Sequence, residues 1–315
     1  MSNATHWQKQ FIMSRGRYRQ MSFLDSGASS DVYRAIDGWT RKFVAIKILG
    51  NSTFDKRCRF RRESAMLTDH LDNPFVVNIL DFDVDCEAPY IVLEYSELGS
   101  LQPCVSNRRD WRTIAEWLYQ VTFGLTIIHE GGGIVRDIKP SNLLRFRTAN
   151  GSEDVKIADF GIGQDLQTGS ATTSPFGTEG YIDPVAQITR NFGPTSDIFS
   201  LGVTIVELLT GGKNARTSMP GPPEFQSLIA AMTAFDPLME DFNVKSRPTS
   251  RQVCEQIQLI LKAYDFPIAA ETGRNVLWWG LGLAAFAIVA TSNTWDSYSG
   301  RYRDSTGRFR SGLLS

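Results

Sequence analysis

The chain has 315 residues, with 33 Lys and Arg against 34 Asp and Glu and a formal net charge of −1. A balance so close to neutral implies no general nucleic-acid partner, and the length allows one domain of about 250 residues with extensions. The four cysteines, Cys58, Cys86, Cys104 and Cys254, show neither metal-ligand nor disulfide spacing, which suits a reducing compartment.

Residues 1–16 form a polar lead. His6-Trp7-Gln8-Lys9-Gln10 interrupts any apolar run, so no signal peptide is expected. Strands dominate 18–95. Within them, Leu24-Asp25-Ser26-Gly27-Ala28-Ser29-Ser30-Asp31-Val32-Tyr33 holds one glycine, Gly27. Glycine lets backbone N–H groups approach a phosphate with no Cβ in the way. Phe43, Val44, Ile46 and Ile48 around Lys47 give the alternation of a half-buried strand. A helix near 56–70 puts Phe60, Glu63 and Leu67 on one face. Helices dominate 111–130 and 195–263, with strand and loop around 134–160. The Thr-, Ser- and Gly-rich stretch 164–180 reads as a mobile loop, and 211–224 as a breaker-rich one.

The chemistry concentrates in Arg136-Asp137-Ile138-Lys139-Pro140-Ser141-Asn142 and in Asp159-Phe160-Gly161, which begins 22 residues after Asp137. Phosphoryl transfer needs a carboxylate to orient the attacking hydroxyl, a cation for developing charge and oxygen ligands for Mg²⁺. Three glycines, Gly131, Gly132 and Gly133, come shortly before and are expected to loosen the loop.

The order and spacing of these segments resemble the catalytic and metal-binding loops of protein kinases, and the resemblance covers roughly residues 17 to 262. It implies an α+β, two-lobed protein kinase fold, with a small β-rich N-lobe (17–95) and a large α-helical C-lobe (96–263). By the same resemblance Asp137 and Lys139 are catalytic, and Asn142 and Asp159 hold Mg²⁺, or Mn²⁺ in its place. Lys47 in Val44-Ala45-Ile46-Lys47 pairs the phosphates of ATP, and Glu63 holds that lysine. Gly27 belongs to the nucleotide-covering loop, and Val32, Ala45 and Leu144 cover the adenine. Glu94 and Ser96 in Tyr90-Ile91-Val92-Leu93-Glu94-Tyr95-Ser96 offer backbone groups to the adenine edge. Lys139 and Thr178 mark the serine/threonine class, because the Thr178 hydroxyl would reach Asp137 and Lys139. Arg136 would partner a phosphate placed on Thr172, Thr173 or Ser174. Leu67, Ile79, Val135 and Phe160 would stack under the site, standing on Asp197.

Three departures from the family pattern argue against catalysis, while Ser30 in place of an outer glycine is a mild change. Asp25 replaces a glycine and brings negative charge toward anionic phosphates. Val135 replaces the histidine before Arg136, at a position that takes no part in proton transfer. Val185, in Gly177-Thr178-Glu179-Gly180-Tyr181-Ile182-Asp183-Pro184-Val185, replaces a glutamate that usually pairs with an arginine, here Arg247. Arg247 must therefore find another acceptor or reach solvent. These departures keep open a second reading, a pseudokinase acting as a binding or scaffold module.

Past a linker (264–275), residues 276–292 form an apolar helix near the lower length limit for a bilayer span, with Trp278 and Trp279 at one end. A membrane segment, with lipid as partner and the kinase domain on the cytoplasmic side, is expected there. A single pass and a surface-lying anchor both fit, and a wholly cytoplasmic protein with a docked helix is the alternative. The Arg-rich polar tail (293–315) carries the near-repeat Gly300-Arg301-Tyr302-Arg303 and Gly307-Arg308-Phe309-Arg310. The expected partners are ATP, a protein substrate offering Ser or Thr, and membrane lipid, with no nucleic acid.

Overall fold

A computed structural model describes residues 16–27, 30–50, 53–159, 178–213, 219–234 and 247–264, together with the backbone of two short strands further on. The chain divides into two units, residues 1–269 and 270–315.

The first unit begins with a five-stranded antiparallel sheet in the order β1-β2-β3-β5-β4. Its strands are β1 (Tyr18–Ser26), β2 (Ser30–Asp37), β3 (Phe43–Leu49), β4 (Ile79–Asp83) and β5 (Tyr90–Glu94). The period-2 alternation works as expected on β3. Val44, Ile46 and Ile48 join Tyr18, Tyr33, Ala35, Tyr90 and Val92 in one cluster, so Ala45 and Lys47 fall on the other face. Helix α1 (Phe54–Asp69) starts at Thr53, whose hydroxyl accepts from Lys56 N. It buries Phe60, Glu63, Ser64 and Leu67, which share one stripe at helical spacing. Arg17 ties the sheet together. It forks onto Asp37 through two 2.9 Å bonds and reaches Asp81 at 3.2 Å. The Arg17 guanidinium holds the Asp37 carboxyl down to about 2, against a burial that pushes it up.

The remainder of this unit is mostly helical: α2 (Gln102–Ser106), α3 (Trp111–Glu130), α4 (Pro184–Thr189), α5 (Pro194–Thr210), α6 (Pro223–Met232) and α7 (Ser250–Ala263). The hairpin β6 (Leu143–Arg147) and β7 (Glu153–Ile157) lies between α3 and α4 in the chain. Helix α3 is capped by Asp110, which accepts from Arg112 N and Thr113 N. Helix α5 is buried along nearly its whole length, from Ser196 to Leu209. A helix buried on all sides can only be a central element that others pack against. The same core holds Leu67, Ile79 and Val135, three members of the expected stack. The fourth, Phe160, lies outside the described residues.

The three glycines after α3 do not loosen the chain. Gly131 N, Gly132 N and Gly133 N donate to Ile127 O, His129 O and Ile128 O at 3.1, 3.0 and 2.9 Å. Gly132 adopts φ +82°, and a Cβ on Gly133 would stand 3.0 Å from Ile128 Cγ2. Glycine is what allows so tight a helix ending.

In the second unit, β8 (Thr294–Asp296) pairs antiparallel with β9 (Arg301–Arg303), with Trp295 opposite Tyr302. The apolar run 276–292 lies outside the described residues. Among the described residues, no helix is long and apolar enough to cross a membrane.

Candidate active site

Three segments meet at one point: β3, the buried stripe of α1, and the chain just past β7. Lys47 Nζ donates to Glu63 Oε1 at 2.5 Å and to Asp159 Oδ1 at 3.3 Å. Burial alone would lower the Lys47 ammonium, but the Glu63 and Asp159 carboxylates outweigh it and hold the group above its ordinary value. Lys47 therefore stays cationic. Asp159 is itself positioned by the chain before it: Ile157 N donates to Phe75 O, and Ala158 N to Asn142 O, each at 2.9 Å.

The loop 131–142 is pinned from below by Asp197 near the start of α5. The Asp197 carboxylate accepts from Val135 N and Arg136 N, both at 2.7 Å, and lies 3.0 Å from His129 Nε2. These bonds hold Arg136 at φ +71°, a conformation that side chains other than glycine rarely adopt. His129 in turn contacts Ser250 Oγ through Nδ1 at 3.0 Å. Val135 is buried where a histidine was expected from the family, and its backbone supplies the bond to Asp197.

Asp137 emerges from this loop with three donors aimed at it. Thr178 Oγ1 donates to Oδ1 at 2.9 Å, Asn142 Nδ2 to Oδ2 at 2.9 Å, and Lys139 Nζ lies 2.7 Å from Oδ2. Lys139 Nζ also donates to Thr178 Oγ1 at 2.6 Å, so the three side chains close a triangle. Asn142 Nδ2 makes a second 2.9 Å bond, to Asp137 O, and among the described residues its Oδ1 has only a long 3.5 Å contact from Ser141 Oγ. The amide oxygen and the half-exposed Asp159 carboxylate are hard oxygen donors, the set that suits Mg²⁺ or Mn²⁺. The residues present fit such an ion.

The remaining sequence candidates lie on or next to strands of the five-stranded sheet, except Leu144, which lies on β6. Val32 is half-buried opposite Lys47 in the β2–β3 register, and Ala45 stands opposite Leu93. Ala45 and Leu144 pack against the edge of the main core. The Glu94 side chain accepts from Asn78 N at 2.8 Å and from Lys156 Nζ at 2.6 Å, so it is committed to the scaffold. Ser96 Oγ donates to Arg145 O at 2.5 Å. Gly27 N donates to Ser30 O at 2.8 Å, which closes the turn between β1 and β2. The exposed Asp25 accepts from Ser26 N at 2.8 Å, so it occupies one amide of the turn itself. Thr172, Thr173 and Ser174 lie outside the described residues.

A family model for the protein kinase domain matches residues 18–262. The chain belongs to the protein kinase family. It is 31% identical over 251 residues to serine/threonine-protein kinase PknL of Mycobacterium tuberculosis, an alignment covering 70% of this chain and 61% of PknL. It is 35% identical over 211 residues to cytokinesis protein sepH of Aspergillus terreus, covering 66% of this chain and 15% of sepH. It is 34% identical over 219 residues to serine/threonine-protein kinase A of Synechocystis sp., covering 62% and 40% respectively. The kinase chain thus spans about six-tenths of the length of PknL.

One residue of this kinase domain was not singled out by its sequence. Asp183 caps α4 by accepting from Val185 N at 3.1 Å and also takes the Arg247 fork. An Asp directly before Pro184 is a recognisable helix-start signal, but the same signal says nothing of Arg247.

Proposed function

We propose that the chain is a serine/threonine protein kinase that transfers the γ-phosphoryl group of ATP to a protein hydroxyl. The observation that carries this reading is the triangle of Asp137, Lys139 and Thr178. Its carboxylate is held by three donors, and the cation beside it is oriented by the same threonine. An incoming serine or threonine hydroxyl would donate to Asp137, which orients the oxygen for in-line attack and takes up the proton. Lys139 offsets the charge that develops on the transferred group. Lys47, fixed by Glu63, would pair the α- and β-phosphates. Val32, Ala45 and Leu144 would enclose the adenine, and the backbones of Glu94 and Ser96 would meet its edge. Gly27 would bring amides toward the phosphates. Asn142 Oδ1 and Asp159 would hold Mg²⁺, which would supply positive charge beside the phosphates.

The departures from the family pattern lose their force as arguments for a pseudokinase. Arg247 has an acceptor in Asp183, and Val135 supplies apolar packing and a backbone donor. Asp25 remains a burden on nucleotide affinity rather than on the chemistry. The finer proposal, that 276–292 attaches the protein to a membrane with the kinase domain on the cytoplasmic side, rests on the apolar run and its two tryptophans. Regulation through a phosphate on Thr172, Thr173 or Ser174, met by Arg136, is proposed on the same sequence basis.

The test of the kinase reading is incubation with radiolabelled ATP, Mg²⁺ and casein, with Asp159→Asn as control. Asp159→Asn removes a proposed metal ligand and should abolish transfer. Equal labelling by the two proteins would sink the enzyme reading.

A further inference from the structure

We propose that Lys213 is a positioning residue for protein-substrate capture, because it holds in place the turn 178–181 that borders Asp137. The role of the turn rests on the kinase reading above. What holds the turn is geometry alone.

Thr178 touches the Asp137 carboxylate through its hydroxyl. Three residues on, Tyr181 N donates back to Thr178 O at 3.1 Å, which closes a turn with Gly180 at φ +87°. Helix α5 fixes this turn from inside. The Tyr181 hydroxyl donates to the buried Glu207, and Ser200 Oγ donates to Tyr181 O at 2.8 Å. From outside the turn is held by Lys213, just past the end of α5 at Gly211. Lys213 Nζ lies 4.0 Å from the centre of the Tyr181 ring and donates to Glu179 O at 3.1 Å. Its stem lies flat on Gly180: a Cβ there would stand 2.9 Å from Lys213 Cδ and 3.0 Å from Nζ.

One ammonium thus grips both the backbone and the aromatic face of the turn, and Tyr181 is clamped between an anion below and a cation above. A substrate chain that presents its hydroxyl to Asp137 must run alongside this turn. If the clamp opens, the wall that the substrate chain meets moves, while Thr178 keeps its own bonds to Asp137 and Lys139. Lys47, Glu63 and Asp159 are held by one another, so nucleotide affinity should not follow.

The test compares Lys213→Met, which keeps the stem and removes the ammonium, with Lys213→Arg, which restores a cation and a donor. A cation–π contact plus a hydrogen bond, both partly solvent-exposed, should be worth about a 5- to 20-fold change. In Lys213→Met, amide hydrogen exchange in 178–181 should quicken by that order. The KM for casein should rise similarly, while the KM for ATP and the kcat at saturating casein stay within about twofold. Lys213→Arg should return both readouts toward wild type. Unchanged exchange in Lys213→Met overturns the proposal, as does a loss shared equally between ATP and casein. If the wild-type chain shows no Asp159-dependent labelling of casein, the kinase reading falls, and hydrogen exchange still decides whether Lys213 holds the turn.

Discussion

Arg247 and Asp183 form a buried two-pronged ion pair, with Nη1 2.6 Å from Oδ2 and Nη2 2.8 Å from Oδ1. Each side chain is only 1% exposed. Arg247 Nε donates to Ala234 O at 2.9 Å, and the guanidinium lies 4.8 Å from the centre of the Phe199 ring. The acid that the kinase pattern places at position 185 has in effect moved two residues earlier, and Val185 fills the vacated position as a buried apolar group. The same carboxylate caps α4, so one side chain joins the segment just ahead of α4 to the residue two before the α7 cap.

The pair should be expensive to break and open to relocation. Asp183→Ala leaves a buried guanidinium without its anion, and should cost about 3–5 kcal/mol in urea unfolding. Adding Val185→Glu to that variant should recover part of the loss, because it returns the acid to the family's usual position. If Asp183→Ala unfolds at the wild-type urea midpoint, the pair does not hold the segment.

On the proposed nucleotide site, Asp25 should weaken ATP binding for two reasons: it would bring a negative charge toward the phosphates, and its carboxylate occupies the Ser26 amide. Asp25→Gly should lower the KM for ATP about fivefold, the size of a unit-charge interaction at short range in a water-like medium. The gain should shrink as salt rises. A KM for ATP that is unchanged at low ionic strength would mean that Asp25 turns away from the nucleotide.

The Arg17–Asp37 pair gives the sheet a specific acid sensitivity. Asp37 sits at about 2 in the folded chain, against an ordinary value of 3.8. A depressed carboxylate contributes stability that is fully present above its unfolded value and is lost as pH falls through its folded one. The difference in Tm between wild type and Asp37→Asn should therefore be full at neutral pH. It should narrow below the ordinary value and close near the folded one. A difference that stays constant down to strongly acid pH would show that the contribution of Asp37 is not its charge.

If residues 276–292 enter a bilayer, the full chain should sediment with membranes and resist a high-salt wash. At ~0.8 kcal/mol per buried CH₂, such a run outweighs any salt-sensitive contact from the tail arginines. A chain ending at Ala270 should stay in the supernatant and keep its phosphotransferase activity. Release of the full chain by salt alone would assign the attachment to Arg301, Arg303, Arg308 and Arg310 instead. Unfolding of the shortened chain would place 276–292 in the core.

What the sequence determined by itself is whatever short stretches of chain can specify. Alternation around Lys47, the helical spacing of Phe60, Glu63 and Leu67, and the compact order from Arg136 to Asn142 are local stereochemistry, and each fell into its expected element. The pairing of Lys47 with Glu63 and of Thr178 with Asp137 was legible because the motifs carry the spacing of a known fold. The tertiary structure alone decided the rest. Arg247 could not be matched to Asp183 from the chain, because 64 residues separate them and only the folded structure brings them together. The glycines after α3 read as a source of looseness. Their carbonyl partners and the closeness of Ile128 make them a tight helix ending instead. Lys213 sits in a breaker-rich loop with no motif around it. Its clamp on Tyr181 exists only because α5 presents that loop beside the turn, and pairing across space leaves no period or spacing in the chain to read.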